Sequence, residues 1–298
     1  MKELKTMNLL TFDIEEWSIE KDLHGGRKEE YIEYDRLLDH ILELLSIHNI
    51  KATFFCLGKI AVDFPHVIRK IDAGGHEIGS HSYSHRWVNK MTPDEFREDS
   101  RQAVYAIEDL IGRKVRSFRA PAFSIGESNK WAFEVMSEFG IENDASIFPG
   151  TRDFGGFPNF TEQNPCIIDF NGIKINEFPI PLYSLPILNK DIAYSGGGYF
   201  RLLPLWFVKK LMESSSYNMC YFHIKDLLSR KGNVMSRSEY EKYFKESGSL
   251  KNRYIRYFKS NVGRGRAIKN LDELVATFKF HSIFEYIEQL PLTRIVKL

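Results

Sequence analysis

Cysteine is scarce in this 298-residue chain: Cys56, Cys166 and Cys220 lie far apart, in apolar segments and without C-x-x-C spacing. That scarcity speaks against a disulfide framework or a thiolate metal cluster and favours buried free thiols in a reducing compartment. An excess of one charge is also lacking. Lys and Arg number 41 against 40 Asp and Glu, so nucleic acid is not an expected partner. No apolar run is long enough to span a bilayer. The opening MKELKTMNLLTFDIEEW is interrupted by acids too soon for a signal h-region, which makes a cytoplasmic location the expectation. No internal repeat or low-complexity linker divides the chain. A single elaborated domain over residues 1–298 is therefore expected, and 43% hydrophobic content can supply one large core.

What the sequence contains is an alternation of short strand-like runs with helical patterns, the order of parallel strands joined by crossover helices. MNLLTFD (7–13) reads as the first strand, and ATFFCLG (52–58) as a second one buried on both faces. Between them Tyr34, Leu37, Leu38, Ile41, Leu42 and Leu45 recur on one helical face. HEIGSH supplies a third strand ending at His81, and VRSFRAP a fourth ended by Pro121. Thr92-Pro93-Asp94-Glu95 is a capping box opening a helix to about Ile111. From 148 to 199 the pattern loosens into a loop insertion with a hairpin, CIIDFNGIKINEF, turning at Asn171-Gly172. NMCYFHI (218–224) restores the alternation, and 225–265 reads as a polar, basic excursion.

In a parallel barrel the strand ends at the C-terminal face surround one site. Here they carry Asp13 and Glu15, His81 and His85, Arg119, Asp144 and His223. Two histidines at i and i+4 share a face if their segment is helical, and with a carboxylate they can hold Zn²⁺ while leaving a position for water. Each residue also has a structural reading: a solvated acidic run, an ion-pairing arginine, a satisfied core histidine. Among aromatics near the strand ends, Trp17 and Tyr199 are candidates to stack on a sugar face.

The ordered series LLTFDIEEW, TFFCLGKIA, GHEIGSHSYSH, FRAPAFSI, NDAS and CYFHIKD, over roughly residues 7–226, resembles the polysaccharide deacetylases of the NodB-homology type, carbohydrate esterase family 4. GGGYFRLLP (196–204) resembles the subgroup found with bacterial exopolysaccharide and surface-glycan loci. The resemblance implies an α/β fold, a distorted (β/α)7 barrel, and a divalent metal, usually zinc, with Co²⁺, Ni²⁺ or Fe²⁺ as alternatives. It implies hydrolysis of an N-acetyl group from a hexosamine residue, the sugar being polymeric, lipid-linked or nucleotide-linked. Asp13 matches the general base, His81 and His85 the metal histidines, His223 the general acid and Arg119 the residue orienting the base. Asp144 matches a residue tuning His223, a part that Asp226 could also take. Pro121 and Ser146 fall at substrate-binding positions, and a backbone N–H near Ser146 or Ile147 would face an oxyanion.

One position departs from the family. Where a second aspartate usually ligates, this chain has Ile14. Strand alternation returns Glu15 to the side of Asp13, so Glu15 is the expected ligand, ahead of Glu16 or of a metal held by histidines and water alone. A cyclic-amide hydrolase resembling allantoinase and a catalytically inactive glycan-binding barrel are the competing readings. The oligomeric state is left open.

Overall fold

β1 (Met7–Ile14) organises the architecture because its two faces meet different partners. Met7 and Leu9 belong to an inner apolar cluster, whereas Leu10, Phe12 and Ile14 join the larger outer one between sheet and helices. All eight residues are buried, as a strand covered on both sides requires. The computed structural model describes residues 6–152, 154–185, 190–244 and 246–298. Residues 1–5 of the leader reading, and 153 and 186–189 of the loop insertion, lie outside the described residues.

Around β1 the sheet runs through β2 (Thr53–Cys56), β3 (Glu77–Ser80), β4 (Ser117–Phe118) and β5 (Asn143–Asp144), all parallel. The hairpin β6 (Cys166–Phe170) and β7 (Ile173–Glu177) follows, β7 pairing parallel with β5. Its turn puts Asn171 and Gly172 at φ 51° and 83°, the two positive angles a two-residue type I′ turn demands. β8 (Tyr183–Leu185) and β9 (Lys190–Ile192) form a separate two-stranded ribbon. β10 (Tyr217–His223) returns to the other side of β1, where Asp13 stands opposite His223. β11 (Phe280–His281) also pairs with β1, and β12 (Ile295–Lys297) with β6. The fold is α/β, a mostly parallel sheet of ten strands curved into a distorted barrel.

Helices α1 (Glu16–His24), α2 (Lys28–Ile47), α3 (Gly58–Asp63), α4 (Pro65–Ala73), α5 (Pro93–Ile111) and α6 (Ala132–Glu138) clothe the first half. The expected capping box on α5 is formed: Thr92 accepts from Glu95 N while Glu95 accepts from Thr92 N. The second half carries α7 (Gly197–Leu202), α8 (Leu205–Glu213), α9 (Ile224–Leu227), α10 (Arg237–Phe244), α11 (Leu250–Asn261), α12 (Arg264–Thr277) and α13 (Ile283–Gln289). The excursion expected at 225–265 is thus largely helical, and α10 packs back over the barrel mouth.

Candidate metal centre and active site

Parity along β1 aims Asp13 at the barrel axis, and the chain turns into α1 with Glu15 at its N-cap. Glu15 Oε2 lies 2.8 Å from His85 Nε2 and 3.5 Å from His81 Nε2. Ligand atoms of these three residues all fall within 4.8 Å of one another. The two histidines meet without a helix: Ser82 and His85 take φ 68° and 62°, folding the loop so that the ring centroids are 5.5 Å apart. The helical reading of their spacing is corrected here, since a loop brings both rings to one carboxylate.

His81 Nδ1 lies 2.7 Å from the Arg119 carbonyl oxygen, which fixes the N–H on that side and leaves the Nε2 lone pair toward Glu15. Glu15 Oε2 is buried, and despite its close nitrogen neighbours no well-directed hydrogen bond satisfies it. An orphaned carboxylate oxygen beside two imidazole nitrogens fits a divalent cation of the zinc type. Burial raises the Glu15 carboxyl, but His85, His223 and His81 overcome it and hold it well below its ordinary value. Glu16 points elsewhere, accepting from Lys225 N at 3.0 Å. Burial and the Glu15 charge push Glu16 up to about 7.

Next to this triad Arg119, fully buried, donates from Nη1 to Asp13 Oδ1 at 2.8 Å and to Thr11 Oγ1 at 2.9 Å. Burial pushes the Asp13 carboxyl up; Arg119, His81 and His223 outweigh it and hold it below its usual range. His223 Nε2 is 3.7 Å from Asp13 Oδ2, and its Nδ1 is 3.0 Å from Asp226 Oδ2. Burial alone would lower the His223 pKa, but Glu15, Asp226 and Asp13 raise it well above the ordinary value. Asp226 is anchored in turn by Arg201 at 3.2 Å.

Several expected site residues stand elsewhere. Asp144 is not the carboxylate on His223. Its register partner across β4 is Phe118, an outer-face residue, whereas Ala145 belongs to the inner cluster, so Asp144 faces the helices. There it accepts from Ser146 Oγ and adjoins Glu177. Ser146 is fully buried with its hydroxyl spent on Asp144 and Ala120 N, and Ile147 N donates to Glu177, so the expected oxyanion donor at Ile147 is engaged. Trp17 is no sugar platform: it is fully buried, donates to Asp35 and meets Tyr34 edge-on. Tyr199 packs half-buried on the outer cluster, and Pro121 is buried in the turn Pro121–Phe123. An aromatic side chain that does reach the Glu15–His81–His85 cluster is Tyr243 of α10, whose ring lies 6.0 Å from that of His85 at 19°. Nothing local in the sequence marks it, because α10 reaches the mouth from far along the chain. Trp87, Phe154 and Phe244 form a further aromatic cluster, with centroids 4.6 Å and 5.8 Å apart.

Comparison with known proteins adds an independent line. Residues 5–143 match the polysaccharide deacetylase family, and residues 145–288 match a domain of unknown function, DUF3473. A peptidoglycan-N-acetylglucosamine deacetylase of Bacillus cereus is 40% identical over 95 residues, 32% of this chain and 34% of the relative. A chitooligosaccharide deacetylase of Azorhizobium caulinodans is 34% identical over 102 residues, 34% of this chain and 47% of the relative. The chain thus spans less than half the length of these relatives. Among solved structures, a Mycobacterium smegmatis chain described as a polysaccharide deacetylase superposes with TM-score 0.64 at 17% identity, over 99% of this chain and 94% of the other. Puue allantoinase superposes with TM-score 0.61 at 15% identity, over 98% and 94%, a likeness of fold alone. On these observations residues 5–143 form a polysaccharide deacetylase domain of the NodB-homology type.

Proposed function

We propose that this protein is a divalent-metal-dependent hydrolase that removes the N-acetyl group from a hexosamine residue of a bacterial glycan or glycan precursor. The observation carrying this reading is the convergence of Glu15, His81 and His85 with the Asp13–Arg119 and His223–Asp226 pairs at the ends of β1, β3, β4 and β10. When bound by Glu15, His81 and His85, a divalent cation supplies Lewis acidity toward the amide carbonyl and brings the pKa of water toward neutrality. Asp13, kept ionised by Arg119, accepts the water proton at Oδ2, the oxygen that Arg119 leaves open. His223, held protonated by its carboxylate neighbours, donates from Nε2 to the departing sugar nitrogen, which leaves as an amine. Acetate and a free amino sugar result.

The test is acetate release from N-acetylhexosamine oligosaccharides and from lipid-linked and nucleotide-linked sugars, with allantoin in parallel. Turnover should vanish on chelation and return with Zn²⁺ or Co²⁺. Asp13→Asn should keep the metal while losing turnover by roughly 10²–10⁴-fold. Sugar binding without acetate under any metal would support the inactive barrel, and ring opening of allantoin the cyclic-amide reading.

A further inference from the structure

α11 is built inside out. Leu250, Tyr254 and Phe258 succeed one another at i, i+4 and i+8 on one face, and they are 64%, 48% and 60% exposed. Ile255 beside them is 43% exposed. The face turned toward the protein is the polar one. Asn261 is buried and accepts from Gly232 N, and Arg253 donates to the Met235 carbonyl. A helix packed on a core by hydrophobic burial has the opposite arrangement. Val262 and Leu202 extend the exposed patch, Leu202 being tied in through its carbonyl, which accepts from Arg266.

Behind α11, between it and α1–α2, lies a cavity of about 550 Å³, large enough for a small polar group and its water. Seven Lys and Arg line it against three carboxylates, Glu20, Glu30 and Glu239, so basic side chains outnumber acidic ones, and Leu250 and Tyr254 also border it. Arg253 Nε and Arg264 Nε are buried without a hydrogen-bond partner, while Nη1 of each donates to a backbone carbonyl, that of Met235 and that of Arg230. None of Asp13, Glu15, His81, His85 or His223 lines this space, so it is distinct from the catalytic mouth. The surrounding sequence is correspondingly one-signed: from Ser247 to Leu271 there are seven Lys and Arg and no Asp or Glu, in a chain of net charge +1.

We propose that α11 is an interfacial helix through which this chain docks on an anionic phospholipid surface, its apolar face entering the headgroup layer and a lipid phosphate entering the cavity behind it. An exposed apolar stripe gains by leaving water for the acyl boundary, and basic side chains near it are drawn to a negative leaflet.

The test is cosedimentation of the full chain with vesicles of phosphatidylcholine alone or with about one third phosphatidylglycerol. Binding should require phosphatidylglycerol and weaken with added salt. Phe258→Glu should reduce binding at least ~10-fold with an unchanged melting curve, because the ring it replaces is largely in solvent. Arg253→Gln should weaken the preference for phosphatidylglycerol. Should Phe258→Glu fail to fold, Tyr254→Ser carries the same expectation. The proposal fails if pelleting is independent of phosphatidylglycerol or is unchanged in these variants. It fails equally if sedimentation shows a dimer that Phe258→Glu dissolves, since the face would then belong to a second copy. Acetate release plays no part in the readout, so the outcome is separate from that of the proposed hydrolysis.

Discussion

Asp13 sits where two forces oppose: burial disfavours its charge, and a fully buried guanidinium 2.8 Å away restores it. Arg119 is itself fixed by the Ala145 carbonyl and the Phe55 ring, whose face lies 4.3 Å from the guanidinium carbon. His81 gains its orientation from the backbone of the same arginine, so one residue positions both Asp13 and His81. Trp17 shows the converse, an aromatic beside the acidic cluster with a purely structural task. Trp17→Ala should lower unfolding free energy by about 3–5 kcal/mol, the cost of an emptied core site. Denaturant titration would measure it; a raised KM with unaltered stability would instead return Trp17 to the sugar.

The pairing of β1 with β10 brings Asp13 opposite His223, and side-chain alternation then decides which strand-end groups share the mouth. That parity was legible for Glu15, because Ile14 lies buried in the outer cluster. It also separates Arg119 from Asp144, which strand ends alone do not. The GGGYF turn has a packing explanation. A Cβ on Gly196 would lie 2.4 Å from the Tyr221 ring and 2.5 Å from its carbonyl oxygen, both rigidly held in the core. Gly196→Ala should therefore cost about 1–3 kcal/mol by overpacking, read as a lower melting temperature. An unaffected melt would mean that the α7 turn yields freely. Ser282 and Glu285 likewise form a capping box on α13, a pattern local enough to stand in the sequence.

Strands from both matched segments form one sheet, and at its centre lies a second acidic pair with no part in the proposed chemistry. Burial pushes Asp144 up to about 6, while burial and the neighbouring Asp144 charge push Glu177 well above its usual value. Both shifts are upward, so above about pH 4 the folded chain keeps protons that the unfolded chain releases. Stability from this pair is therefore present at low pH and declines as pH rises through about 6 and beyond. Glu177→Gln retains an acceptor for Ile147 N and removes one titrating group. The fall in melting temperature between about pH 5 and pH 8 should be shallower in this variant; parallel curves would reject the pair as its source.

Local periodicity and capping depend on residues a few positions apart, which is why the strands, the α5 cap, the Asn171-Gly172 turn and the strand-end positions of Asp13, His81, Arg119 and His223 could be read along the chain. Ile14, an apolar interruption in an acidic run, even pointed to Glu15. Which carboxylate meets His223, whether Trp17 is wet or dry, and which aromatic covers His85 depended on segments far apart in sequence. Those outcomes follow from sheet parity, burial and the return of α10 over the mouth. All are properties of packing that no short stretch of sequence contains.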